Sequence, residues 1–116
     1  MQEQIYHITT HAAWNKAKAE GVYRDSSLDQ EGFIHCSYPN QIARTANRYF
    51  VGQDNLLILG INRSQTGYNV VDEDLYGANE IFPHVYGPIH VQAVFDVIPL
   101  LCDADGSFSL PNRIRA

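Results

Sequence analysis

Cysteine is scarce: Cys36 and Cys102 are the two in 116 residues, too few for a disulfide framework, so both are expected as free thiols. Basic residues are outnumbered, 8 Lys+Arg against 13 Asp+Glu, for a formal net charge of -5. An acidic surplus repels polyanions, and duplex DNA is not an expected partner. Long apolar runs are missing as well. Residues 56–59, with Gly60 and Ile61 behind them, fall far short of the roughly 20 residues that cross a bilayer. No membrane span is expected. Met1-Gln2-Glu3-Gln4 carries neither the basic nor the apolar stretch of a secretory signal, which predicts a cytoplasmic protein. The glycine fingerprints of dinucleotide-binding and P-loop units are absent, as are the HExxH and CxxC spacings of common metal sites.

What remains is an ordinary globular composition, 45% hydrophobic, enough for one core. No repeat or linker divides the chain, so residues 1–102 read as a single domain. Residues 103–116, with Gly106, Ser107, Ser109, Pro111 and Asn112, read as a tail laid over it. Residues 5–9 are short, β-branched and aromatic, as a first strand should be. Thr10 is placed to cap a helix running to Glu20, with Ala12, Ala13, Trp14 and Ala17 as its apolar face and Gly21 as its stop. Residues 32–36 suit a second strand. Ser37-Tyr38-Pro39 opens a second helix, in which Ile42, Ala43, Ala46, Tyr49 and Phe50 recur at helical spacing.

Beyond Asn55 the pattern turns to strands. Residues 56–61 are apolar without alternation, as in a central strand covered on both faces. Residues 68–71, 81–86 and 89–98 follow as further strands; in the last, Val91, Ala93, Phe95 and Val97 alternate with Gln92, Val94, Asp96 and Ile98. Two early helices followed by crowded strands predict an α+β fold with a twisted, mostly antiparallel sheet or two small sheets.

Three histidines stand in apolar company: His7 and His35 in mid-strand, and His84 after Phe82-Pro83. Such a placement costs free energy unless each imidazole is hydrogen-bonded or borders a wet cleft. Each could be satisfied separately; a shared, histidine-lined cleft is the sharper alternative. Zinc is disfavoured, because neighbouring His35 and Cys36 point to opposite faces of a strand, and the same divergence disfavours Cys36 as a nucleophile. His11 and His90 are expected to face solvent. Asp72, Glu73 and Asp74 read as a solvated acidic loop. Glu80, at the mouth of the His84 strand, could reach the cleft and stabilise an oxocarbenium-like transition state or orient a ribose hydroxyl.

Tyr6-His7-Ile8-Thr9, Gly32-Phe33-Ile34-His35-Cys36-Ser37 and Phe82-Pro83-His84-Val85-Tyr86-Gly87-Pro88 together resemble the bacterial family known as domain of unknown function 952. That family is similar to the ADP-ribosyltransferase superfamily, in which two small sheets enclose an NAD cleft. The resemblance implies NAD as cofactor, with His7, Thr9, His35, Ser37 and Tyr86 holding it. It also implies a catalytic role for Glu80, whose Asn79-Glu80-Ile81-Phe82 setting is similar to the poly-ADP-ribosylating branch, or for His84 in its place. The expected function is ADP-ribosyl transfer or cleavage of the NAD glycosidic bond. The alternatives are a non-catalytic module for a small nucleotide-like ligand and a small metal-dependent hydrolase.

Overall fold

The computed structural model describes residues 3–115. Strand β1 (Gln4–Thr10) runs directly into helix α1 (His11–Glu20). Thr10 stays extended, and its hydroxyl accepts the Ala13 N–H at 3.1 Å. Gly21 ends the helix at φ 83, where a side chain would be strained, and returns its N–H to the Ala17 carbonyl. Of the expected apolar face, Ala17 is buried, Ala13 and Trp14 lean on the core, and Ala12 is exposed.

Strand β2 (Val22–Tyr23) and helix α2 (Ser26–Glu31) come next. Neither was expected: the α+β reading stands, but there are three α-helices among the described residues instead of two. The Asp25 carboxylate caps α2 through the Ser27 N–H at 3.0 Å, and Gly32 closes it at φ 88. Strand β3 is only Ile34–His35, shorter than the expected 32–36. Pro39–Gln41 form a 3-10 turn that leads into α3 (Ile42–Tyr49), which buries Ile42 and Ala46 and leaves Tyr49 in solvent.

Strand β4 (Leu56–Asn62) is central, as expected, lying between β1 and β8 (Val94–Leu100). Its alternation divides two cores. Leu59 and Ile61 join Ile5, Tyr23, Ile34 and Cys36 in the first, while Leu56 and Ile58 join Tyr6, Ile8, Ile42 and Ile98 in the second. Residues 103–115 hold no helix or strand, and Phe108 and Ile114 close the second core. Strands β5 (Val70–Glu73) and β6 (Phe82–Val85) complete a second antiparallel sheet in the order β3-β6-β5. The strand expected over 89–98 is broken: β7 (Ile89–His90) pairs with β2, and a 3-10 turn over Val91–Ala93 separates it from β8.

Among the described residues one isolated bridge, Tyr6 with Ser37, joins the two three-stranded sheets. Tyr6 and Ser37 exchange both backbone hydrogen bonds, at 2.9 and 2.7 Å. An antiparallel ladder would next pair Ile8 with His35. That rung is not formed on the His35 side, whose carbonyl accepts from the His7 side chain, and β1 and β3 part there as a fork.

Candidate functional site

Strand alternation sorts the histidines at the fork. In β1, residues 5, 7 and 9 face the first core, so His7 and Thr9 are polar positions on a face that also meets Tyr23. The His7 Nδ1–H donates to the His35 carbonyl at 2.5 Å, and Nε2 lies 2.9 Å from the Tyr23 hydroxyl. The Tyr23 hydroxyl in turn reaches Thr9 Oγ1 at 2.8 Å and Asp25 Oδ1 at 3.2 Å. Burial opposes a charge on His7, but Tyr23, the Asp25 carboxylate 3.6 Å away and Cys36 outweigh it and hold its pKa well above the ordinary value. The same contact with His7 holds Asp25 far below the usual carboxylate range. Both His7 nitrogens are thus engaged within the protein.

Ile34 of β3 and Cys36 just after it face the first core, and His35 faces away from it, directly opposite His84 of β6. The structure therefore brings His35 and His84 together, with ring centroids 5.3 Å apart, on the outer side of the sheet. His7 stands on the inner side and meets His35 at its backbone. Phe33 fills the centre of the outer face, its ring 4.2 Å from His84 and nearly parallel to it, 4.8 Å from His35 and 5.4 Å from Tyr86.

Two carboxylates clamp this face. Glu31, the last residue of α2, accepts the His35 Nε2–H at 2.9 Å and the Tyr76 hydroxyl at 2.6 Å. Glu73 of β5 is opposite Phe82, which makes it a diagonal neighbour of His84 on the same face. It accepts the His84 Nδ1–H at 2.9 Å and also the Tyr86 hydroxyl. Hydrogen bonds from Tyr86 and His84 lower the Glu73 pKa, and those from Tyr76 and His35 help to lower that of Glu31. Partial desolvation of its hydroxyl, together with the bond to Glu31, pushes Tyr76 up to about 12, although most of the ring is exposed. Burial and the charge of nearby His35 lower the His84 pKa, against the pull of Glu73. The lowered pKa favours the neutral imidazole, and the Glu73 carboxylate places its proton on Nδ1.

The acidic run expected as a solvated loop is engaged throughout. Asp72 takes both arms of buried Arg63, at 3.0 and 2.7 Å, and the Tyr38 hydroxyl. Asp74 accepts the N–H groups of Ala78 and Asn79, fixing a turn in which Asn79 has φ 58. That turn delivers Glu80 to α3. Arg44 grips its carboxylate with both arms, and the Gln41 amide donates to it at 3.0 Å. Glu80 is therefore paired with Arg44 of α3 and with Gln41, and the acids on His35 and His84 are Glu31 and Glu73. Ser37 serves through its backbone, at the bridge to Tyr6.

Sequence reasoning missed Glu31, Phe33, Glu73 and Tyr76 at this face, and Tyr23 and Asp25 behind it. Glu31 needed the turn at Gly32 that sets the end of α2 beside β3, and Glu73 needed the β5–β6 register. Among the described residues no three His, Cys, Asp or Glu side chains are grouped to hold a metal ion, and no helix is long and apolar enough to cross a membrane.

A comparison with curated proteins finds no match. The crystal structure of protein CC0527 from Caulobacter crescentus is similar, with a TM-score of 0.83 and 36% identity, covering 92% of this chain and 94% of that one. Its solution NMR structure gives a TM-score of 0.76 at 30% identity, covering 97% of each. The family described as "Protein of unknown function (DUF952)" matches residues 8–97. With that match running from β1 into β8, across both sheets and the fork between them, the chain belongs to the DUF952 family.

Proposed function

We propose that the outer face of β3-β6-β5 binds a nucleotide of the NAD type, and that its chemistry is cleavage of the N-glycosidic bond with ADP-ribosyl transfer. The observation that carries this reading is the paired arrangement of His35 and His84 around Phe33, each clamped by a glutamate and a tyrosine. The exposed rings of His35, Tyr76 and Tyr86, lying over buried Phe33 and His84, suit a planar nicotinamide. Two carboxylates suit its positive charge, and hydroxyl and imidazole groups suit ribose. In this reading His35 and Tyr86 contact the ligand, while His7, Thr9 and Ser37 hold β3 in place from behind. Calorimetry with NAD, ADP-ribose and nicotinamide, alongside chromatography of released nicotinamide, tests it. Binding of NAD with nicotinamide release supports the enzyme, and failure to bind any of the three ends the reading.

A non-catalytic nucleotide-binding module is the second reading. The pairing of Glu80 with Arg44 and Gln41 favours it, because the acid expected to assist departure of the nicotinamide is neutralised. NAD binding without nicotinamide release would select this reading.

A further inference from the structure

His84 is held in a way that the structural role of a buried histidine does not require. Its Nδ1–H is committed to Glu73 at 2.9 Å, and Phe33 lies nearly parallel to its ring at 4.2 Å, so both tautomer and plane are fixed. Among the described residues Nε2 has no hydrogen-bond partner, yet no side-chain nitrogen or oxygen is both fully buried and unsatisfied, so Nε2 touches solvent through a narrow opening in a side chain that is 2% exposed. A neutral imidazole oriented by a carboxylate, with its remaining lone pair at that narrow opening, is the arrangement of a general base.

We propose that His84 is the general base that activates the acceptor, a hydroxyl or water, for attack on the ribose, with Glu73 as its positioning residue. The proposal rests on the NAD-type reading above. As the acceptor oxygen bonds to the ribose anomeric carbon, its proton passes to His84 Nε2. The bond from that carbon to the nicotinamide nitrogen breaks, and its electron pair neutralises the pyridinium charge. The products are neutral nicotinamide, the ribosylated acceptor and a His84 imidazolium, which returns its proton to water. The groups around His84 suit this cycle. Glu73 from β5 and Glu31 from α2 stabilise the transient imidazolium, while His35 from β3 disfavours it. Tyr86, the residue after β6, donates its hydroxyl to the same Glu73 oxygen, Oε1, and keeps the carboxylate ionised.

The test compares wild type, Glu73→Gln, Glu73→Asp and Tyr86→Phe in NAD affinity by calorimetry and in nicotinamide release across pH, with water and then a simple alcohol as acceptor. Wild-type release should fall on the acid side as His84 becomes protonated. Glu73→Gln should lower kcat by roughly a hundredfold or more, a larger loss than the fall in NAD affinity caused by removing one carboxylate, and displace the acid limb, whereas Glu73→Asp should restore part of the rate. Imidazole nitrogen NMR should find His84 protonated on Nδ1 in wild type and mixed in Glu73→Gln. If NAD binds but wild type releases no nicotinamide, or if Glu73→Gln leaves rate and pH limb unchanged, the base assignment is overturned while NAD binding stands. If NAD does not bind, the functional reading falls and the base assignment with it. Tyr86→Phe guards against a folding defect in Glu73→Gln, since it loosens the same carboxylate from the exposed side. An unchanged acid limb in that variant, with Glu73→Gln misfolded, also overturns the proposal.

Discussion

His7 donates its Nδ1–H to the backbone carbonyl of His35 at 2.5 Å, at the place where β1 and β3 separate. One imidazole therefore takes over a rung that the backbone ladder gives up. Through Tyr23 and Asp25 it also ties in β2 and the N-terminus of α2. The site face is built on the far side of that same His35, so the cross-link sets the position of a residue it does not touch through its side chain.

The first prediction is that His7→Ala lowers stability more than it alters any ligand contact. It removes two hydrogen bonds, one of them fully buried, and takes the imidazole away from Tyr23 and Asp25, which keep Thr9 and Ser27 as partners, a loss of about 2–4 kcal/mol. His35→Ala keeps the carbonyl and removes a partly exposed ring, so it should cost less than about 1 kcal/mol. Urea unfolding of both variants decides the point, and equal losses would refute the cross-link.

The pH dependence follows from the signs of the two shifts. His7 has its folded pKa raised well above 6.5, so its contribution is complete below the unfolded value and is lost as pH rises through the folded one. Asp25 has its folded pKa lowered from 3.8, so its contribution is present above that value and is lost as pH falls through the folded one. The stability gap between wild type and Asp25→Asn should thus be widest between about pH 4 and pH 6.5 and should narrow in alkaline solution. His84 acts oppositely. Its lowered pKa makes folding less favourable as pH falls below the ordinary histidine value. Unfolding curves collected across this range in both proteins would expose a gap that fails to narrow.

Gly60 sits at the β-bulge between β4 and β8, where Gly60 pairs with Asp96 and Ile61 with Val94, leaving Phe95 over. The Phe95 ring lies on the glycine: a Cβ there would stand 2.7 Å from Phe95 Cζ. Gly60→Ala is expected to cost about 1–3 kcal/mol through overpacking. The double variant with Phe95→Ala should be more stable than the sum of the two single losses implies, and strict additivity in thermal unfolding would count against the contact.

Local signals carried the parts of the fold they could reach. Thr10 and Gly21 marked both ends of α1, and the unbroken apolar run marked β4 as central. Helix α2 was invisible because six residues, Ser-Ser-Leu-Asp-Gln-Glu, offer no apolar period and depend on the Asp25 cap. Strands β2 and β7 are two residues each and exist only as a pair. At the site, His35 and His84 stood out as polar residues in apolar strands. Glu73 did not, since its link to His84 arises from a diagonal across two strands. Glu80, four residues before His84 in sequence, was the more conspicuous acid, and the Asn79 turn with Arg44 behind it redirects that acid.

The tail gives a further test. Asn47 of α3 both donates to the Phe108 carbonyl at 2.9 Å and accepts the Phe108 N–H at 2.7 Å, a two-bond clasp that seats Phe108 in the second core. Asn47→Ala should destabilise by about 1–3 kcal/mol and speed limited proteolysis within residues 103–115. Cleavage at an unchanged rate would mean that Phe108 is held by packing alone.

The final prediction separates the two acids. Glu80 accepts from Arg44, which is 59% exposed, and from buried Gln41. A solvent-screened pair of this kind is worth about 0–1 kcal/mol, and glutamine at position 80 would still offer an oxygen to Gln41. Glu80→Gln should therefore change stability by less than about 1 kcal/mol and leave both NAD affinity and nicotinamide release within about twofold. Glu73→Gln, by contrast, should lose turnover, because the carboxylate that orients His84 is gone. Arg44→Ala adds a control: it frees Glu80 from its cation without touching the histidine face, so its turnover should match wild type. A hundredfold loss in Glu80→Gln with NAD still bound, or a marked gain in Arg44→Ala, would return the catalytic carboxylate to Glu80 and require the Arg44 pair to open when ligand binds.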